Sequence, residues 1–205
     1  MSGRRRVKGL AAALAATVVL LSACASGTTV TAGPGNRPTA GGTPAAASLS
    51  ASNPDSIPGA PSAPTGPTED ATLVRVVDGD TIRAVVGGKE YRIRFIGMNT
   101  PELNQGSAAT PEPFAELATQ ANARLLAGGR LVLERDVSRT DRYDRLLRDI
   151  WIEADGQWTL VNLALVDQGY AQVSTFPPDV KYVDALVAAE RAARAYSRGL
   201  WGSAP

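Results

Sequence analysis

Residues 71–96 read ATLVRVVDGDTIRAVVGGKEYRIRFI. Apolar and polar residues alternate through three runs, Ala71–Val77, Thr81–Val86 and Glu90–Ile96, and a period of two marks strands that bury one face. The breaks between the runs are short, Asp78-Gly79-Asp80 at the first and Gly87-Gly88 at the second. Gly-Gly suits a two-residue hairpin turn, whose central positions need positive φ. The stretch therefore predicts three consecutive antiparallel strands.

Working outward, Pro113–Ala127 reads as a helix stopped by Gly128-Gly129, and Leu131–Arg135 as a fourth strand. Leu146–Ile152 reads as a fifth, closed by the turn Ala154-Asp155-Gly156. A second helix fits Leu160–Gln168 with Gly169 behind it. A third fits Val180–Arg198, with Asp179 as N-cap after Pro177-Pro178 and Gly199 ending it. Five strands with three interspersed helices predict an α+β fold on a five-stranded OB-fold barrel, occupying residues 70–205.

The other end of the 205-residue chain has a different character. MSGRRRVK opens it with positive charge, an apolar run follows, and Leu21-Ser22-Ala23-Cys24 places small residues before a cleavage point. This predicts an export signal over residues 1–23. The uncharged run Gly9–Ala23 falls short of the ~20 residues a spanning helix needs. The placement of the single cysteine resembles the lipobox of bacterial lipoproteins, which implies that Cys24 is acylated. Acylation would anchor the mature chain to the outer face of the cell membrane, since each buried methylene contributes ~0.8 kcal/mol. Residues 24–69 are rich in Ala, Gly, Ser, Thr and Pro, a composition that lacks the apolar surface for a core and predicts a disordered tether.

Composition excludes several chemistries. There is no histidine, so neither a serine–histidine triad nor a histidine-liganded zinc site is available. One cysteine excludes an internal disulfide. The net charge of +1 includes four basic residues of the export signal, so the mature chain carries −3. Wholesale neutralisation of phosphates cannot be its mode of binding nucleic acid. Any such contact is local, and Arg139, Arg142, Arg145 and Arg148 are the expected core of a focused patch.

Three clusters carry chemistry-bearing side chains: Val77-Asp78-Gly79-Asp80-Thr81, Arg92-Ile93-Arg94 running on through Asn99-Thr100-Pro101-Glu102, and Arg139-Thr140-Asp141-Arg142-Tyr143-Asp144-Arg145. Each alone has a plain structural reading, as a tight turn, an edge strand and a charged loop. Together and in this order they resemble the staphylococcal nuclease family, whose pattern is D-G-D-T, then R-(x)4-[DN]-T-P-E, then T-D-x-Y-x-R. The resemblance implies a nuclease using calcium. It makes Asp80 a metal ligand, Asn99 a second side-chain ligand and Thr100 a ligand through its carbonyl, with Asp78 just outside. It implies that Arg94 and Arg145 grip the phosphate and that Glu102 orients or deprotonates the attacking water. Arg142 and Tyr143 match positions contacting a terminal phosphate. The substrate implied is single-stranded DNA or RNA, acted on by a monomer. These residue types make independent sense, because Ca2+ takes hard oxygen ligands and forked guanidiniums stabilise charge on phosphate oxygens.

Three positions depart from the family. Asn99 replaces a common aspartate, which removes one negative charge and predicts weaker calcium binding. Thr175 falls near a position where an aromatic ring can stack on a base, and Asp144 replaces a usual glycine. The competing reading is a catalytically inactive OB-fold module that binds nucleic acid or a protein partner at the cell surface.

Overall fold

The computed structural model describes residues 57–103 and 110–202. The expected export signal at residues 1–23, Cys24 and the expected tether as far as residue 56 lie outside the described residues. The strands are β1 (Thr68–Val76), β2 (Thr81–Val86), β3 (Lys89–Phe95), β4 (Met98–Asn99), β5 (Arg130–Glu134), β6 (Leu146–Ala154), β7 (Gln157–Leu160) and β8 (Gln172–Val173). The helices are α1 (Ala115–Leu126), α2 (Val161–Asp167) and α3 (Val183–Ala195), followed by a 3-10 turn at Gly199–Trp201.

β1 pairs antiparallel with both β2 and β5, β2 with β3, and β5 with β6. A parallel pairing of β3 with β6, at Ile93↔Leu146, Arg94↔Leu147 and Phe95↔Arg148, closes the circuit. The result is the expected five-stranded OB-fold barrel with three helices. Closure leaves Ile82, Ile93, Phe95, Leu133 and Ile150 almost wholly buried on one face, while Trp151, on the other face of β6, is buried against Trp158 and Tyr182. Asn162 on α2 ties the seam: its amide donates to the Ile96 carbonyl at 2.9 Å and its oxygen accepts the Ile150 N–H at 2.9 Å. The side chain thus satisfies backbone groups just beyond the β3–β6 ladder, as buried polar groups require.

Several expectations need correction. The folded unit begins before Asp70, because Ile57 is buried in the core and Ala60 packs against it. The Thr65 and Gly66 N–H groups donate to the buried Glu134 carboxylate. Residues 57–67 of the assigned tether are therefore a strap on the barrel, and Thr68 and Glu69 already belong to β1. A composition poor in large apolar groups cannot build its own core, yet needs only one isoleucine and two backbone donors to dock. Asp179 does not cap α3, which starts at Val183. Its carboxylate instead accepts the N–H groups of Val137 and Ser138 at 3.1 and 2.7 Å. α3 ends at Ala195 rather than near Gly199, with Ser197 left-handed at φ 51°. The turn after β6 does not end the sheet: Asp155 and Gly156, at φ 50° and 76°, fold β7 back onto it.

Candidate active site

The Asp78-Gly79-Asp80 corner joins β1 to β2, where Val77 and Asp78 N–H groups both reach the Thr81 carbonyl. From below, the fully buried Asn122 of α1 donates to the Asp78 carbonyl at 3.1 Å. Gly79 has to be glycine, since a Cβ there would meet the Thr100 side chain at 2.7 Å. That close approach lets Thr100 serve Asp80: its N–H and hydroxyl both donate to Asp80 Oδ2, at 3.0 and 3.2 Å. Thr81 donates to the other oxygen at 3.0 Å. Asp80 is thereby held in one orientation although almost completely buried.

Arg94 on β3 supplies the counter-charge. Its Nη1 lies 2.7 Å from Asp80 Oδ2, and its Nη2 donates to Asn99 Oδ1 at 2.7 Å. Asn99 in turn donates to the Thr100 carbonyl at 3.2 Å. The Arg94 guanidinium thus bridges the side-chain oxygens of Asp80 and Asn99, and the Asn99 amide ties in the Thr100 carbonyl. All three donors are hard oxygens, the chemistry Ca2+ selects, but only one carries charge, so the remaining coordination would fall to water and substrate oxygens. On the donor set the residues fit the ion. Asp78 accepts the Asp80 N–H at 3.1 Å. Its carboxyl is pushed up to about 6, first by burial and then by the charge of Asp80.

Glu102 lies beyond Pro101, with its backbone N–H held by the Glu112 carboxylate. Its carboxyl is raised, chiefly by burial and then by Asp80, while Arg94 and Arg145 act the other way. The acid thus lies within the electrostatic reach of the very groups with which it would share a substrate. Arg145 sits at the start of the seam, its Nε 2.7 Å from Asp141 Oδ2. The other Asp141 oxygen accepts the N–H groups of Tyr143 and Arg145, at 2.8 and 3.0 Å. These bonds fix the loop and aim Arg145 into a groove of about 520 Å3 that Arg94, Asn99, Arg142 and Tyr143 also line. Arg142 and Tyr143 are exposed on the rim, with a 2.7 Å hydrogen bond between them.

The patch of four arginines is corrected to two. Arg148 is 3 % exposed, bonded to Glu69 and to the carbonyls of Arg139 and Leu147. Arg139 lines a separate hollow with Glu69 and Asp70. Asp144 has a physical account: it sits at φ 59°, a left-handed position that glycine fills freely and aspartate tolerates. Arg145 pairs with Asp141, not with this added carboxylate. Thr175 does leave a gap in the pattern, but the neighbouring Phe176 is 75 % exposed and lines the same groove as Tyr143. Sequence reading passed over it because an isolated phenylalanine before Pro-Pro reads as a loop residue. Its signal was its place three residues after the two-residue strand β8, which pairs with β4 at Met98 and Asn99.

A barrel whose β1–β2 corner fixes an acid and whose β3–β6 seam aims two guanidiniums at one groove is an OB-fold protein with a mixed carboxylate and arginine site. The family described as "Staphylococcal nuclease homologue" matches residues 92–203, and this chain belongs to that family. The match holds Arg94, Asn99, Thr100, Glu102, Arg142, Tyr143 and Arg145, while the Asp78–Asp80 corner precedes it. The chain is 32% identical over 132 residues to "Endonuclease YncB" of Bacillus subtilis (strain 168), covering 63% of this chain and 60% of the relative. It is 29% identical over 131 residues to "Thermonuclease" of Staphylococcus hyicus, covering 64% and 75%. To "Protein ParB" of Escherichia coli it is 32% identical over 134 residues, covering 63% and 70%. The chain thus spans less than two thirds of the length of the first of these relatives.

Proposed function

We propose that this chain is an exported, calcium-dependent nuclease that hydrolyses phosphodiester bonds of single-stranded DNA or RNA. The observation that supports it most is that Arg94, ion-paired with Asp80, and Arg145 line one groove, with the Glu102 carboxyl within the charge reach of Asp80 and both arginines. Asp80, Asn99 and the Thr100 carbonyl would hold the calcium ion. When bound, the ion supplies Lewis-acid stabilisation of charge on a phosphate oxygen. Arg94 and Arg145 present forked donors to the nonbridging oxygens, where charge grows during attack. Glu102 accepts the proton of the attacking water, which forms the new P–O bond as the ester oxygen departs. A carboxyl raised by burial is the better base for that transfer. Tyr143 and Arg142 contact a neighbouring phosphate, and Phe176 offers a face on which a base can stack.

The nuclease reading is tested by incubating the purified chain with single-stranded DNA and RNA, with calcium or with chelator. Cleavage confined to the calcium samples is the expected result, and none in either rejects the reading in favour of an inactive binding module. Membrane attachment through Cys24 is tested separately by labelling cells with radioactive palmitate. Label lost in Cys24→Ser supports the anchor, and label absent from the wild type removes it.

A further inference from the structure

Outside the groove, the barrel carries a second concentration of positive charge that the proposed chemistry does not use. In the β1–β2 register Arg75 stands opposite Arg83, and in the β2–β3 register Arg83 stands opposite Arg92. Directly opposed residues of antiparallel strands share a face, so three arginines form one row across three strands. Arg75 and Arg92 are exposed, and Arg83 is partly so. Glu90, on the same face, neutralises Arg83 at 2.7 Å. Neither Arg75 nor Arg92 has an ion pair among the described residues. Opposed like charges destabilise a sheet, so the row has no evident structural reason.

Its position gives it one. The next pair on the same face is Thr81↔Arg94, two residues along the strands and therefore about 7 Å away. On the other side of Arg94 lies the groove with Arg145 and Tyr143. Arg94 thus stands between the groove and the arginine row. Three strands at ~4.8 Å spacing make the row about 10 Å wide, and a strand carrying one charge per ~3.4 Å or more can lay two or three phosphates along it. The domain from Asp70 onward has 16 basic and 18 acidic residues, so a local row matters more than bulk charge.

We infer that Arg75 and Arg92, flanking the Glu90-paired Arg83, form a phosphate track that holds the backbone of a single-stranded nucleic acid as it leaves the Arg94 end of the groove. The inference takes its ligand from the nuclease reading, but its test reads binding rather than cleavage. The probe is a fluorescent oligothymidylate of about a dozen nucleotides, followed by anisotropy at a series of salt concentrations with calcium present. A Glu102→Gln background keeps the probe uncut. Each lost contact to a single strand lowers the slope of log affinity against log salt by about 0.7. The double change Arg75→Gln with Arg92→Gln is therefore expected to reduce the slope by about 1.4 and the affinity roughly 25-fold at about 0.1 M salt. Arg75→Lys with Arg92→Lys keeps the charge and retains most of the affinity. The charge-matched control, Arg124→Gln with Arg191→Gln on exposed helix positions, leaves binding unchanged. Unaltered affinity and slope in the glutamine pair overturn the track, as does an equal loss in the control. Cleavage by the chain that retains Glu102 is scored separately, so a working track without cleavage counts against the nuclease reading alone.

Discussion

In Arg94→Lys one ammonium replaces a fork that spans two acceptors. The guanidinium reaches Asp80 Oδ2 and Asn99 Oδ1, each at 2.7 Å, with side-chain exposures of 15% for Arg94 and 4% for Asp80. A lysine can keep the charge beside Asp80 but cannot hold both oxygens with the same planar geometry. Losing one charge-assisted hydrogen bond in so sheltered a place costs about 1.5–3 kcal/mol. Arg94→Met costs more, about 3–5 kcal/mol, because Asp80 is left buried without a counter-charge. Turnover falls further than stability, since an arginine clamping a phosphoryl group in transit can contribute ~10³-fold, equivalent to about 4 kcal/mol of barrier. Urea denaturation and kcat/KM on single-stranded DNA, measured on wild type and both variants, read the two effects apart. A lysine variant as stable and as active as wild type would refute the bridging role.

Gly79→Ala forces the Thr100 side chain away from a Cβ at 2.7 Å, loosening both its bonds to Asp80; about 1–3 kcal/mol of stability is expected to go, together with most activity, as unfolding and cleavage assays would show. Asn99→Asp restores a second charge to the oxygen set and ends the amide's hold on the Thr100 carbonyl; titration calorimetry is expected to find calcium bound at least tenfold more tightly, about 1.4 kcal/mol, and an unchanged affinity would count against the ligand set. Phe176→Ala raises KM for single-stranded DNA roughly tenfold with kcat kept, from ~1–3 kcal/mol of lost stacking; a drop in kcat alone would point elsewhere. Burial alone would raise Glu134, but bonds from Lys181, Tyr182, Trp151 and the Gly66 N–H outweigh it and hold its carboxyl below the ordinary value of 4.5. A depressed folded-state carboxyl stabilises above its unfolded pKa and loses that contribution as pH falls through the lower, folded one. Melting curves are thus expected to separate wild type from Glu134→Gln at pH 7 and to converge as acid is added below pH 4.5.

The barrel was legible because alternation is a local property: residues 71–96 each announce their face, and Gly87-Gly88 announces the turn, with φ of 57° and 82°. The paired acids, Arg94 and the 140–145 loop could be found for a different reason, since their spacing matches a known pattern. What escaped depends on partners distant in the chain. β4 and β8 have two residues each and exist only because Met98 and Asn99 meet Gln172 and Val173. Ile57 looks like one apolar residue in a proline-rich run until the core gives it a place. Arg148 looks like its neighbours in sequence, yet its pairing opposite Phe95 at the seam turns it inward to Glu69. Charge along a strand tells nothing of which arginines will be neutralised.

The proposed hydrolysis requires a water activated by Glu102 beside a clamped phosphate. The most direct measurement is the single-turnover rate on single-stranded DNA with calcium, wild type against Glu102→Gln, with substrate affinity measured in parallel. A rate loss of at least ~10²-fold is expected in Glu102→Gln with affinity little changed, and a variant that cuts as fast as wild type would remove Glu102 from the chemistry.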